Sequence, residues 1–295
     1  MYLREFMDIF SYPEEAKSVL VEAYNTLERH KEAKKSFDEL LCRYKEDKMC
    51  DFLELLQSMK QVSVLAGVHE YTGNMLLLIC MSETLARYYD DAGIDRDVFV
   101  TSMYDLKWKL IECQCVHGVW GTFVPTWYRG FFQMQLFGFE KLQFELISFK
   151  REYERDGMKL NPDSIVLNTH IPRTGTKLDE ESLRKSYRNG AAFFKKHFGI
   201  ELPVFVCHSW LLFPKNKEIL YPESNLLRFV SDYELYDWGE YDDYREVWRL
   251  FDVMYDGNVD HLPQNTSFRR GYAQWIRTGQ KTGWGYGIYI YKEGE

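Results

Sequence analysis

The longest uninterrupted apolar run, Met75 to Met81, is seven residues, against about 20 needed for a helix to cross a bilayer, so no membrane span is expected. The opening residues, Met1-Tyr2-Leu3-Arg4-Glu5, do not lead from a charged segment into an apolar stretch and a small-residue cleavage site. A secretory leader is therefore not expected. Cysteine is sparse and irregular, at 42, 50, 80, 113, 115 and 207. Such thiols, set inside helical and strand patterns, behave as small hydrophobes and point to a reducing cytoplasm. Cys113 and Cys115 are two residues apart, about 200° around a helix, so they cannot share a metal ion, and no metal site is expected. Positive charge is in deficit as well: the formal net charge is -8, which repels a nucleic-acid backbone. The densest basic stretch, Arg29 to Lys35, is interrupted by Glu32 and reads as the solvated face of a helix. Internal repeats and low-complexity tracts are absent. Ser209 has no flanking glycine, which excludes the nucleophile elbow of the α/β-hydrolases.

The sequence is nevertheless 45% hydrophobic and 17% aromatic, the profile of a chain that folds around a substantial core. At 295 residues and roughly 150 residues per domain, two domains are expected. The first half is helical in pattern. After Pro13, residues Ala16, Val19, Leu20, Ala23, Tyr24 and Leu27 share one face at helical spacing. Phe37 to Tyr44, Phe52 to Met59, Tyr71 to Ala86 and Phe99 to Leu110 repeat the period, with Gly93 and Gly118 as stops and Asp95 as a cap. A shorter helix is expected over Thr126 to Leu136.

Beyond Gly138 the period changes to two, placing Leu142, Phe144 and Leu146 on one face of a strand. Arg155-Asp156-Gly157 reads as a turn, and Ser164 to Ile171 as a strand ended by Pro172. Asp179, with Glu180 and Glu181, reads as the cap and first turn of a helix whose buried face is Leu183, Tyr187, Ala191, Phe194 and Phe198, ended by Gly199. Pro203 to Leu212 and Leu226 to Leu235 read as two further strands. A late helix over Thr266 to Thr278 leads through a glycine-rich turn, Gly283 to Gly287, into a last strand at Ile288 to Tyr291. Strand, helix, strand in about 45 residues implies a parallel pair with a crossover helix. The expected architecture is α+β, with a helical domain over residues 1–136 and a mixed α/β sheet domain over 137–295.

Ligands in such sheets collect beyond the carboxyl ends of parallel strands. His170 stands near the end of one strand and His208 within the next, so both can face one cleft if the strands are neighbours. Pro172 to Lys177, with Arg173, Thr174, Gly175 and Thr176, has the composition of an anion-binding turn entering a helix. The acidic, tyrosine-rich run Asp232 to Tyr244 reads as an exposed loop, and Arg269 and Arg270 as helix-surface arginines able to meet a carboxylate.

Five stretches carry a family resemblance: Leu142-Gln143-Phe144-Glu145, His170-Ile171-Pro172, Cys207-His208-Ser209-Trp210-Leu211-Leu212, Ser224-Asn225-Leu226-Leu227-Arg228-Phe229 and Leu262-Pro263-Gln264-Asn265-Thr266-Ser267. With them the chain resembles bacterial acyltransferase-domain proteins that join a helical N-acyltransferase N-terminal domain to a GNAT-like C-terminal domain. The resemblance implies a sheet in which two neighbouring parallel strands splay and acyl-coenzyme A enters the gap, with the 164–171 strand pairing to pantetheine. Ile171, Arg173, Thr174, Gly175 and Thr176 are then the coenzyme A contacts, although Gly175 follows Arg173 by two residues and the second glycine of the usual GNAT loop is missing. The implied activity is transfer of an acyl group to an amine. Attack on a thioester requires a base and donors to the oxyanion. His170 is the expected base, with His208 or Glu145 as alternatives, and Tyr187 or Tyr221 the expected acid for the leaving thiolate. Trp210, Asn225 and Arg228 are the expected contacts to a small-molecule acceptor. The competing reading is a non-catalytic module that binds a carbohydrate or peptide on a degenerate GNAT-like scaffold.

Overall fold

The computed structural model describes residues 2–155, 157–244 and 246–292, in two compact units, Met1–Phe137 and Gly138–Glu295. The first is a helical bundle of α1 (Tyr2–Ile9), α2 (Glu14–Arg29), α3 (Lys31–Glu46), α4 (Phe52–Ala66), α5 (Glu70–Asp91), α6 (Arg96–His117) and α7 (Arg129–Phe132). Local chemistry sets the ends of these helices. Asp51 accepts from the backbone N–H groups of Leu53 and Glu54 at 2.9 and 3.1 Å to start α4, and Gly67, at φ 68°, ends it. α5 runs through the middle of the bundle: Met75, Leu76, Leu77, Leu78 and Ile79 are all fully buried, an apolar surface on every side that only a central helix can bury. The helix expected over Thr126 to Leu136 is cut short. Pro125–Tyr128 is a 3-10 turn leading into the one-turn α7, because Tyr128 and Trp127 turn inward to bond the buried Asp105 carboxylate at 2.9 and 3.2 Å.

The second unit is built on one six-stranded sheet. Its elements are β1 (Leu136–Phe139), which spans the unit boundary, β2 (Leu142–Ser148), β3 (Tyr153–Arg155), β4 (Met158–Leu160), β5 (Ile165–His170), α8 (Glu180–Phe198), β6 (Val204–Ser209), α9 (Asn225–Ser231), β7 (Glu234–Glu240), α10 (Trp248–Phe251), α11 (Ser267–Arg277) and β8 (Gly283–Ile290). The strand order is β1-β2-β5-β6-β8-β7, with β3 and β4 forming a separate hairpin. β5 and β6 run parallel, as the strand–helix–strand pattern requires, while β2 flanks β5 and β8 flanks β6 in the antiparallel sense. Of the expected Arg155-Asp156-Gly157 turn, Asp156 lies outside the described residues, and Arg155 and Met158 face each other in the hairpin.

The two sheet faces bury different partners. Phe144 and Phe205 face α8, where the Phe144 ring lies 5.7 Å from that of Tyr187 and presses on Gly190, whose missing Cβ leaves room for it. Val166, Val204, Val206 and Ile288 point the other way, into a second core closed by Phe149, Tyr153 and Leu160. Two sequence expectations fail here. Residues 226–231 are helical because Ser224 caps them, its Oγ accepting from the Leu226 N–H at 3.2 Å; the strand begins later, at Glu234. Gly283 to Gly287 form no turn but the first half of β8. A Cβ on Gly285 would lie 2.3 Å from the Leu212 carbonyl oxygen, so the glycines let the Trp210–Leu212 turn pack directly on the strand.

Candidate active site

The β5–β6 ladder is short. It pairs Leu167 with Phe205 and Asn168 with Val206 and then stops. Both strands continue, but with their outer neighbours: β5 stays paired to β2 as far as His170 opposite Gln143, and β6 stays paired to β8 as far as Ser209 opposite Gly285. Past Asn168 and Val206 no ladder joins β5 to β6, and this unpaired stretch is the gap between them. Because paired residues in neighbouring strands point to the same face and side chains alternate, His170 and His208, each two residues past the last pair, lie on the same face at the two rims of the gap.

The first rim carries a bonded trio. Glu145 on β2 lies opposite Asn168, and its Oε2 is 2.9 Å from His170 Nε2 and 3.4 Å from Asn168 Nδ2, with 3.2 Å between that amide nitrogen and Nε2. The side chains of His170 and Glu145 are partly covered, at 20% and 26% exposure. A carboxylate bonded to one imidazole nitrogen orients the ring and stabilises the imidazolium, leaving proton transfer to the other nitrogen. Asn168 escaped the sequence reading. Strand alternation puts it on the same face as His170, but its place beside Glu145 follows only from the β2–β5 register.

His208 stands on the second rim with its ring edge-on to Trp284 at 4.8 Å and tilted to Tyr286 at 6.2 Å. Although the residue is exposed overall, burial of the ring against these aromatics, followed by the nearby Arg151 charge, lowers its pKa from the usual 6.5, with Asp237 acting in the opposite sense. Arg151 lies over the rings of Tyr236 and Tyr286 and pairs with Asp237 at 2.5 Å. The Arg151 hydrogen bond, outweighing the opposing effect of burial, holds the Asp237 carboxyl below the ordinary aspartate value. Of this group only His208 is a candidate from the sequence, because Asp237 and Tyr236 sit in a run that reads as an exposed loop and is in fact the edge strand β7.

The segment that leaves β5 connects the gap to α8. Gly175 takes φ 70°, Thr174 Oγ1 bonds Thr176 Oγ1 at 3.2 Å, and Thr176 accepts from the Lys141 ammonium. Arg173 pairs with Asp252 at 2.6 Å, and Arg269 meets the other oxygen of that carboxylate, also at 2.6 Å. Asp179 caps α8, accepting from the Ser182 N–H at 2.9 Å, a bond that lowers its pKa.

Residues 136–289 match the family described as GNAT-like C-terminal domain. The chain belongs to that family. Residues 1–134 match the N-acyltransferase N-terminal domain, while no curated protein matches. Among solved structures, the chain is similar to an acyltransferase in complex with decanoyl-CoA and teicoplanin, with a TM-score of 0.78 and 19% identity over 98% of this chain and 87% of that one. It is also similar to an acyltransferase in complex with decanoyl-CoA, at TM-score 0.73 and 19% identity, and to an acyltransferase mutant in complex with octanoyl-CoA, at 0.75 and 18%, each with the same coverage of 98% and 87%. At these identities the likeness is one of fold.

Within the GNAT-like domain the remaining candidates are scattered. Tyr187 is in the core on the α8 side of the sheet. It is 1% exposed, and its hydroxyl donates to Tyr233 at 3.0 Å, which in turn donates to Thr169 at 2.8 Å. Burial pushes its pKa well above 10, and strand alternation puts Thr169 on the opposite face from His170. The role of acid to a leaving group does not suit this position. Tyr221 is exposed in the connection before α9. Asn225 opens α9, and Arg228 pairs with Glu180 in the first turn of α8. Trp210 stacks on Phe268 and meets Tyr272 edge-on, both at 6.1 Å, beside the core of α10 and α11.

Proposed function

We propose that this protein transfers an acyl group from acyl-coenzyme A to an amine of a small-molecule acceptor. The observation that carries the reading is the end of the β5–β6 ladder beside the bonded Glu145–His170 pair. A gap between parallel strands offers backbone edges to an extended pantetheine amide chain, and a thioester threaded through it meets a base at the rim. The amine nitrogen attacks the thioester carbonyl, and His170 takes the ammonium proton on Nδ1, since Nε2 faces Glu145. The new C–N bond forms, the C–S bond breaks, and the imidazolium returns its proton to the departing thiolate. Glu145 stays ionised and stabilises the imidazolium through Nε2–H. Ile171 to Thr176 follow directly from the gap, where the diphosphate would run, and Arg173 would exchange the Asp252 carboxylate for phosphate oxygens. The free cysteines suit a reducing, cytoplasmic setting.

Acyl transfer to an amine acceptor by the His170→Ala variant tests the assignment. A fall in kcat of about 10²-fold or more, with little change in KM for acyl-coenzyme A, is expected for loss of a general base. Turnover at the wild-type rate would remove His170 from the chemistry.

A further inference from the structure

Asp252 is shared by two arginines from different parts of the second unit. Arg173, in the segment that leaves β5, donates from Nη1 to Oδ1 at 2.6 Å, and Arg269 of α11 donates from Nη2 to Oδ2, also at 2.6 Å. The two are held differently. Arg269 donates in addition through Nε to the Leu250 carbonyl at 2.8 Å and through Nη1 to Asn265 at 3.1 Å, and its side chain is 16% exposed. Arg173 is 40% exposed and belongs to a segment that is neither helix nor strand. We propose that Asp252 is an internal stand-in for a phosphate of the donor: it holds Arg173 in place until the donor arrives, and it sets the affinity for acyl-coenzyme A by competing for that guanidinium. The proposal rests on the reading of residues 171–176 as the segment that meets the diphosphate.

A guanidinium presents the same planar fork of N–H groups to a carboxylate and to a phosphate, so one anion can replace the other on Arg173. What the replacement costs depends on what becomes of Asp252. Its side chain is only 21% exposed, and a carboxylate stripped of its partner in a partly covered site is strongly destabilising. Arg269 prevents that outcome. Bonded to the other carboxylate oxygen, and anchored to Leu250 and Asn265 independently of Arg173, it stays when Arg173 turns away. The trio of two guanidinium groups and one carboxylate also carries net positive charge, which attracts an incoming polyanion where a lone Arg–Asp pair would be neutral. The backbone allows the carboxylate to be removed cleanly. Asp252 takes φ 60° at the end of α10, its N–H bonded to the Trp248 carbonyl at 2.8 Å, and asparagine and glycine both accept that conformation.

Calorimetric titration of the full chain with coenzyme A, which carries the phosphates of the donor, tests the competition. Asp252→Asn keeps the size and backbone of the residue and removes its charge; Kd should tighten by about 2- to 5-fold, the worth of a partly exposed ion pair. A residue that merely braces the loop gives the opposite sign. In an Arg173→Ala background the same substitution should change Kd by less than about 1.5-fold, because the guanidinium under competition is gone. If Asp252→Asn does not fold, Asp252→Gly reads the same pair of Kd values. Unchanged or weaker binding in Asp252→Asn overturns the proposal. So does tightening that persists without Arg173, which would reflect only the loss of a negative charge near a polyanion. The two readings fail separately: a wild-type protein that does not bind coenzyme A defeats the donor reading and this proposal with it, whereas wild-type binding that Asp252→Asn does not tighten defeats only the role of Asp252.

Discussion

At the scale of single residues, the two rims of the gap differ in their electrostatics. His170 faces a carboxylate, whereas His208 is pressed against Trp284 and Tyr286 and lies near the Arg151 guanidinium, which together lower its pKa. A histidine whose folded pKa lies below its unfolded value favours the folded state when neutral. That contribution is complete above pH 6.5 and is lost as pH falls through the lowered folded value. Two substitutions should move the His208 midpoint in opposite directions when followed by NMR. Arg151→Ala removes a repelling cation and releases Asp237, so the midpoint rises; Asp237→Asn removes an attracting charge, so it falls. A further residue-scale expectation concerns Arg173. If its guanidinium exchanges Asp252 for the diphosphate of the donor, Arg173→Ala should raise KM for acyl-coenzyme A by about 10- to 100-fold, the worth of a charge-assisted hydrogen bond, with kcat nearly unchanged in steady-state assays. An unaltered KM would leave Arg173 as a loop anchor.

At the scale of elements, what could be read from the sequence depended on whether local signals and tertiary packing agreed. The strand ending at His170 and the helix beginning at Glu180 carry their own signals: β-branched residues with Pro172 beyond them in the first, Asp179 as cap and Gly199 as stop in the second. The parallel pairing of β5 with β6, and so the shared face of the two histidines, followed from that pattern as a possibility and from the register as a fact. Residues 226–235 misled because Leu226, Leu227, Phe229 and Val230 suit a strand as readily as a one-sided helix, and the single serine at 224 decides between them. β7 is hidden for the opposite reason, since Glu-Leu-Tyr-Asp-Trp-Gly-Glu has no regular apolar alternation to read. The β8 glycines look like a turn until the Leu212 backbone is seen against them. Gly285→Ala should therefore cost about 1–3 kcal/mol, as overpacking against fixed backbone does. Gly271→Ala in the middle of α11, where the nearest atom to a new Cβ is an ordinary 3.4 Å away, should instead stabilise by up to about 1 kcal/mol through helix propensity. Denaturant melts of the two variants check the contrast; equal effects would mean that the Trp210–Leu212 turn does not rest on the strand as described.

At the scale of the whole molecule, binding and chemistry separate. The gap depends on which strands pair with which, a property of the six-stranded sheet, whereas the base is one side chain at its rim. A variant that loses the imidazole keeps the backbone edges of β5 and β6 and the loop over residues 171–176. Acyl-coenzyme A, binding the folded chain and not the unfolded one, should raise the melting temperature of the wild-type protein, with about 2.7 kcal/mol of added stability at a hundredfold excess over Kd. His170→Ala should show nearly the same rise while its turnover falls, because what it loses is a proton acceptor and not a surface for the pantetheine chain. Thermal melts of both proteins at matched acyl-coenzyme A concentrations decide this. If neither protein is stabilised, the gap is not a thioester site and the sheet serves as scaffold for another ligand. If only the wild type is stabilised, the imidazole itself holds the donor, and the division of labour between strand edges and rim must be redrawn.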